Sequence, residues 1–152
     1  GENIMRKVDI AYLAGLFDGE GSISLNRSNN KDGTFYYSVL VQLSMTNEYL
    51  PKWLHFSFGG SFFKRKISQE DNRKEVWGWS IPGQTALDFL RTVYPYLILK
   101  KPQADIVFRM YQERVRWKHL TQNERDVQQL LAGQMSVLNH RGKMQKEEIE
   151  VG

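Results

Sequence analysis

Gly15 and Gly19 stand four residues apart in the run Leu13-Ala14-Gly15-Leu16-Phe17-Asp18-Gly19-Glu20-Gly21-Ser22-Ile23. A glycine inside a helix costs about 1 kcal/mol relative to alanine, so a helix that keeps two of them needs a compensating contact. Close approach of a second backbone supplies one. Ala11, Gly15 and Gly19, beside Ala14, make a strip of small residues on which another helix can pack with few side chains between. Ile10, Leu13, Ala14 and Phe17 recur at helical spacing, and Asp9 is the expected N-cap of a helix from Asp9 to Phe17. Asp18 and Glu20 are then delivered where the helix ends and a strand begins. If two such helices pair about a two-fold axis, two copies of these acids meet near the seam.

Carboxylate and backbone oxygens are what a hard divalent cation such as Mg²⁺ selects, and near a phosphodiester such a cation activates water and stabilises the leaving oxygen. Two other glycine-rich or acidic motifs do not fit. Gly19-Glu20-Gly21 lacks the third glycine of a dinucleotide fingerprint and follows a helix where that motif follows a strand, and an EF-hand needs a longer acidic loop. A bare Asp-Gly-Glu-Gly is also an ordinary way to end a helix with solvated acids.

Composition narrows the class. With no cysteine among 152 residues, disulfide scaffolds, thiol nucleophiles, iron–sulfur clusters and cysteine-containing zinc sites are excluded. At 41% hydrophobic and 12% aromatic the chain is too apolar for a disordered segment, and no run approaches the roughly 20 apolar residues that span a bilayer. Arg6 and Lys7 before Val8–Phe17 loosely imitate a secretory signal, but Asp9 interrupts the run and no small-residue cleavage site follows. A soluble protein with an intracellular location, cytoplasm or organelle matrix, is therefore expected. The net charge of +4 is modest but uneven: residues 61–119 hold 12 basic and 6 acidic residues, including Lys64-Arg65-Lys66, Arg73-Lys74 and Lys100-Lys101. That concentration suggests a polyanionic partner, although a solvated basic face would read the same way.

Polar and apolar residues alternate in Ser22–Asn26 and again from Phe35 to Thr46, on either side of the turn-rich Asn29-Asn30-Lys31-Asp32-Gly33, which predicts a hairpin. A helix from about Leu50 to Phe58 follows, with Pro51 at its first position and Asn47 in the connection. Ser61–Lys66 and Glu75–Ile81 read as a second hairpin, Gln84–Val93 as a helix closed by Pro95, and Pro102 to about Lys118 and Glu124–Leu138 as two more, the last capped by Thr121 or Asn123. The polar tail from Asn139 is expected to be loose. The order α-ββ-α-ββ-α plus C-terminal helices gives an α+β fold: one four-stranded antiparallel sheet with helices on one face and the other face open. A single domain over residues 1–152, with its core at about 8–140, is expected.

Tyr12 followed by Leu13–Ile23 resembles the signature of the LAGLIDADG homing endonucleases, and Tyr94-Pro95-Tyr96-Leu97-Ile98-Leu99-Lys100-Lys101-Pro102-Gln103-Ala104 is similar to that family's second recognisable stretch. The resemblance implies an αββαββα fold whose curved sheet lies in the DNA major groove and whose motif helices form the dimer interface; one motif corresponds to the homodimeric branch. It puts the essential metal-binding acid on Glu20, with the Gly19 carbonyl as a further ligand. The water-ordering polar residue falls on Asn47, the lysine of the active centre on Lys100, and an early basic residue of the second helix on Lys52. Asp18 corresponds to the family's other acid, more often a helix-end group than a ligand. The implied interface comprises Ala11, Ala14, Gly15, Asp18 and Gly19. The implied cofactor is Mg²⁺, with Mn²⁺ or Ca²⁺ able to occupy the same sites and Ca²⁺ not supporting cleavage.

Strands of about 10–12 residues reach about 35 Å, the length of about 10 base pairs, so two subunits would cover about 20. Ser24, Asn26, Ser28, Ser38, Leu40, Gln42 and Ser44 fall on the outward alternation of the first hairpin; Lys64 and Lys66 are expected with them on the third strand and Arg65 on the opposite side. Arg73, Lys74, His140, Arg141 and Lys143 are loop or tail candidates for phosphate contacts. Trp77, Trp79 and Ile81 share one strand face, assigned to the core. His55 and His119 read as structural. The expected function is site-specific cleavage of both strands of a long pseudo-palindromic DNA site, leaving 3′ overhangs. The alternative is a non-cleaving binder of the same fold, either a maturase acting on intron RNA or a DNA-binding regulator.

Overall fold

The computed structural model describes residues 5–66, 75–112 and 120–151. Its elements are α1 (Lys7–Glu20), β1 (Gly21–Asn29), β2 (Phe35–Met45), α2 (Tyr49–Phe58), β3 (Ser61–Lys66), β4 (Glu75–Pro82), α3 (Gly83–Val93), a 3₁₀ turn at Tyr94–Tyr96, α4 (Lys101–Gln112) and α5 (Gln122–Val151). The strands form one sheet in the order β1-β2-β4-β3, so the second strand of each hairpin lies in the middle. The expected α+β order holds. The chain divides into two compact units, Gly1–Ile23 with Val39–Lys101 and Ser24–Ser38 with Pro102–Gly152.

In the first unit α1 is longer than its periodicity suggests. Arg6, in extended backbone, is the N-cap. Asp9 is not the cap but lies three residues inside, its carboxylate accepting from the Arg6 backbone N–H at 3.3 Å and from Arg6 Nε at 3.2 Å. The helix continues past Phe17 to Glu20, and Gly21 donates its N–H back to the Phe17 carbonyl. A Cβ at Gly21 would run into the Phe17 ring.

An aromatic cluster binds the helices to the sheet. Phe89 of α3 meets Phe17 of α1 at 5.3 Å, Phe58 of α2 at 5.0 Å and Trp79 of β4 at 5.2 Å between ring centroids, all edge to face or nearly so. Full burial of such side chains contributes about 1.5–3 kcal/mol each, and the geometry is the one aromatic quadrupoles favour. The Trp79 indole N–H donates to the Gly59 carbonyl at 2.9 Å. Gly59 and Gly60 both have positive φ, which reverses the chain from α2 into β3, and a Cβ at Gly60 would collide with Ser80 and Ile81.

Register decides the faces. In β2 and β4 Leu43 pairs with Trp79, Val41 with Ile81 and Met45 with Trp77; in β3 and β4 Phe62 pairs with Trp79 and Lys64 with Trp77. Directly paired residues share a face, so these residues lie on the helix-covered side. The core assignment of Trp79 and Ile81 is correct, and Trp77 lies on the same side, half-buried, its ring stacked on Phe62 at 5.7 Å. The placement of the β3 cations is the reverse of expectation. Lys64 sits at the margin of the helix side, its Nζ 2.8 Å from a Glu75 oxygen and 5.2 Å from the centre of the Trp77 ring. Lys66 pairs with Glu75 in the same parity, and it is Arg65, paired with Val76, that occupies the open side. The cause is the adjacent pair Phe62-Phe63: alternation cannot tell which ring goes inward, and pairing of Phe62 with Trp79 fixes it.

In the second unit the hairpin turn is closed by Asn30 N–H to the Thr34 carbonyl at 2.7 Å and by Asp32, whose Oδ1 accepts from Thr34 N–H at 2.9 Å and Thr34 Oγ1 at 2.6 Å. Arg27 lies over the Phe35 ring at 4.0 Å. Thr121, one of the two expected caps, starts α5 with a reciprocal pair: Glu124 N–H to Thr121 Oγ1 at 3.2 Å and Thr121 N–H to Glu124 Oε1 at 3.3 Å. Gln128, Leu131 and Met135 form the buried stripe of α5, and Ala104, Ile106, Val107 and Met110 that of α4. The tail from Asn139 is not loose: α5 continues through it to Val151. Among the described residues no helix is long and apolar enough to cross a membrane.

Candidate active site and nucleic-acid interface

The last turn of α1 separates its two acids. Asp18 is buried at 8% exposure, while Glu20, two residues on, is exposed at the helix end. One Asp18 oxygen accepts the Ile98 N–H at 2.7 Å and the other the Lys100 N–H at 3.0 Å. Lys100 in turn donates its Nζ to the Asp18 backbone carbonyl at 2.8 Å. A carboxylate accepting two amide N–H groups makes charge-assisted bonds of the strong class, and here they fasten residues 98–100 to the helix end from 80 and more positions away. The effect is to set Lys100 beside the turn that carries Gly19 and Glu20. Among the described residues no salt bridge engages Glu20.

Asn47 lies between β2 and α2, exposed, its Oδ1 accepting the Tyr49 N–H at 2.8 Å. It thereby satisfies the N–H of the first residue of α2, whose N-cap is Glu48, and its side-chain nitrogen is the polar group left for solvent. Lys52 is on the exposed side of α2, 4.0 Å from Glu48, and Pro51 is the third helical residue rather than the first.

The expected interface residues of α1 divide by face. Ala14 is wholly buried and Asp18 is used internally, so neither is presented outward. Gly15 and Gly19 are exposed, and a Cβ on either would meet nothing within 4 Å. With half-buried Ala11 and with Val8 and Tyr12, 65% and 53% exposed, they leave an apolar, small-residue surface open on α1.

On the open side of the sheet in the first unit lie Leu40, Gln42 and Ser44 of β2, Ser80 and Gly78 of β4, and Ser61, Phe63 and Arg65 of β3; Gln42 pairs with Ser80 and Ser80 with Ser61. Ser80, Phe63 and Arg65 are additions to the candidates named from sequence, and the signal that finds them is the pairing partner, not the strand's own alternation. In the second unit Ser24, Asn26 and Ser28 alternate along β1 with Leu25 and Arg27, and Ser38 lies on β2 between buried Tyr37 and Val39. His140 and Arg141 are exposed on α5, Lys143 belongs to the same helix, and Arg73, Lys74 and His119 fall outside the described residues. His55 packs against Phe62 at 6.2 Å between ring centres, a structural position.

Among the described residues no three His, Asp or Glu side chains converge as a ready-made metal cage. The oxygen donors at the helix end are the Glu20 carboxylate and the Gly19 carbonyl. Mg²⁺ keeps several waters and is commonly held by one or two carboxylates together with substrate phosphates, so this sparse set fits a cation shared with a phosphodiester and not one stored in the protein alone.

The fold is that of known DNA-bound nucleases. The chain is similar to the homing endonuclease I-CvuI, solved in complex with the I-CreI target in the presence of Mg with the DNA not cleaved, at 22% identity and a TM-score of 0.69 over 87% of this chain and 82% of that one. It is similar also to the archaeal intron-encoded homing endonuclease I-Vdi141I complexed with DNA, at 16% identity and a TM-score of 0.70 over 86% and 84%. I-SmaMI bound to uncleaved DNA in the presence of calcium ions matches at 19% identity and a TM-score of 0.65, but the match covers 88% of this chain and 47% of that one. No curated protein matches in sequence. Residues 13–103, more than half of the chain and including the helix end, Asn47 and Lys100, match the model of the LAGLIDADG endonucleases; the chain belongs to that family.

Proposed function

We propose that this protein is a homodimeric, site-specific DNA endonuclease that hydrolyses one phosphodiester in each strand of a pseudo-palindromic site of about 20 base pairs, leaving 3′ overhangs. The observation that carries the reading is the helix end: Glu20 exposed and outside any salt bridge among the described residues, with Lys100 fastened to the carbonyl of Asp18 beside it. A binding protein has no need of a carboxylate directed at a phosphate.

Each group has a separate task. Glu20 and the Gly19 carbonyl would hold a divalent cation, Mg²⁺ in the working enzyme, which would supply activation of water and neutralisation of charge on the leaving oxygen. Lys100 offsets charge on the phosphate, its position fixed by Asp18. Asn47 orders water through its side-chain nitrogen, since its oxygen is committed to Tyr49. The Ala11-Gly15-Gly19 surface of α1 packs on the same surface of a second copy and brings two such sites together. Two subunits carry +8 in all, twice the +4 of one chain, which supplies sequence-independent attraction to DNA. Uncharged strand residues and Arg65 then read base edges, while His140, Arg141 and Lys143 contact backbone phosphates.

The test is incubation with a library of long duplexes with and without Mg²⁺, beside Glu20→Gln. The expected result is Mg²⁺-dependent cutting of both strands at one site, lowered about 10²–10³-fold by Glu20→Gln with binding retained. Sequence-specific binding without cutting in any divalent metal would establish a non-cleaving binder instead, and undiminished cutting by Glu20→Gln would remove Glu20 from the site.

A further inference from the structure

On the open side of the sheet one rung departs from the polar pattern. Ser44, Gly78 and Phe63 pair across β2, β4 and β3, and a Cβ added at Gly78 would run into the Phe63 ring. The ring therefore lies across the place where the central strand has no side chain. The neighbouring rung toward the chain end of β3 carries Arg65 opposite Val76, and the rung on the other side carries Ser61, Ser80 and Gln42. Phe63 is half-buried, so one part of the ring covers the Gly78 backbone and the rest remains open to whatever approaches that face.

Glycine within a strand weakens it and marks a close approach by another group. Packing an aromatic ring over it restores cover, but it also places a flat apolar surface in the middle of hydrogen-bonding side chains. In the major groove only one base presents an apolar feature, the C5-methyl group of thymine. We infer that Phe63, seated over Gly78, is a specificity-determining residue that reads a thymine methyl in each half of the DNA target. The inference rests on the endonuclease reading above and adds a base identity to it. Arg65, two residues further along β3, projects about 7 Å away, about two base-pair steps, where its guanidinium suits the paired acceptors of guanine. Duplex RNA offers no equivalent, because uracil lacks the methyl and the A-form major groove is closed to side chains.

The test removes the methyl and nothing else. From a randomised duplex library the wild-type chain selects its target, and each thymine in that target is replaced singly by deoxyuridine. Binding is then measured for wild type, Phe63→Ala and Gly78→Ala. One thymine in each half-site is expected to lose about three- to tenfold in affinity on replacement with wild type, the scale of one buried methyl. That loss is expected to vanish with Phe63→Ala, and with Gly78→Ala, whose new methyl group displaces the ring. Should Phe63→Ala not fold by circular dichroism, the wild-type and Gly78→Ala arms decide alone. Absence of any deoxyuridine-sensitive thymine with wild type overturns the inference while leaving the endonuclease reading intact, as does a loss that persists undiminished in both variants. Selection of no specific duplex at all overturns both.

Discussion

α1 and α3 are neighbours in the same unit, joined through Phe17 and Phe89, yet they end in opposite conditions. α3 buries Ala86, Leu87, Phe89, Leu90 and Val93 and turns Gln84, Thr85, Asp88 and Arg91 to water. Its outer face is complete as it stands. α1 buries Leu13, Ala14, Phe17 and Asp18, but its other face carries Val8, Tyr12, Gly15 and Gly19. A helix apolar on both sides, and glycine-bearing on the outer one, satisfies its own fold with one face and leaves the other uncovered, the face proposed above for a second copy. The acids at its end repeat the division: Asp18 serves the fold, while Glu20 stays exposed and is the acid proposed above for the chemistry.

Phe89→Ala removes the ring on which three elements meet and is expected to cost about 3–5 kcal/mol, read by chemical denaturation; a loss under 1 kcal/mol would mean that α3 is peripheral. Glu20→Gln should lower cleavage by about 10²–10³-fold while leaving the melting temperature and DNA affinity close to wild type. Asp18→Asn should act on the fold first, losing about 2 kcal/mol of stability as two amides lose a charged acceptor, and should lower cleavage only through the displacement of Lys100. A melting temperature unchanged by Asp18→Asn would end the contrast between the two acids. Gly15→Glu should weaken self-association tenfold or more by sedimentation, with folding intact because a side chain there meets only open space; Asp88→Lys, on the finished face of α3, should leave association unchanged.

The smallest effect is expected in the other unit, at the turn between β1 and β2. The Thr34 hydroxyl and N–H hold Asp32 below the ordinary carboxyl value of 3.8. Its folded-state pKa is depressed, so its contribution is complete above that ordinary value and is lost as pH falls through the lower folded one. Asp32→Asn should therefore narrow the difference in melting temperature between pH 6 and about pH 3, slightly, because the group is exposed.

The element order and the glycine strip were legible because each rests on local spacing. What escaped was decided by partners. Ser61-Phe62-Phe63-Lys64-Arg65-Lys66 has no alternation, so only the pairing of Phe62 with Trp79 reveals that Arg65 and not Lys64 shares a side with Gln42. The start of α1 was misplaced because Asp9 caps as well from the third helical position as from the cap itself, once Arg6 offers its N–H. The tail after Asn139 looked loose for its polarity, although Gln145, Lys146, Glu147 and Glu148 are strong helix formers that extend α5. At the candidate site the helix end pointed to Glu20, but no spacing rule joins position 18 to positions 98 and 100.

That last junction has a consequence in time. Ile98 and Leu99 are 80% and 67% exposed, and by exposure alone their segment would be a surface loop whose amides exchange with solvent almost as fast as a free peptide. With the Ile98 and Lys100 N–H groups bound to a buried carboxylate, exchange there must wait for the end of α1 to let go. Those two amides should keep the slow clock of the protein interior while the Leu99 amide between them runs on the fast clock of the surface.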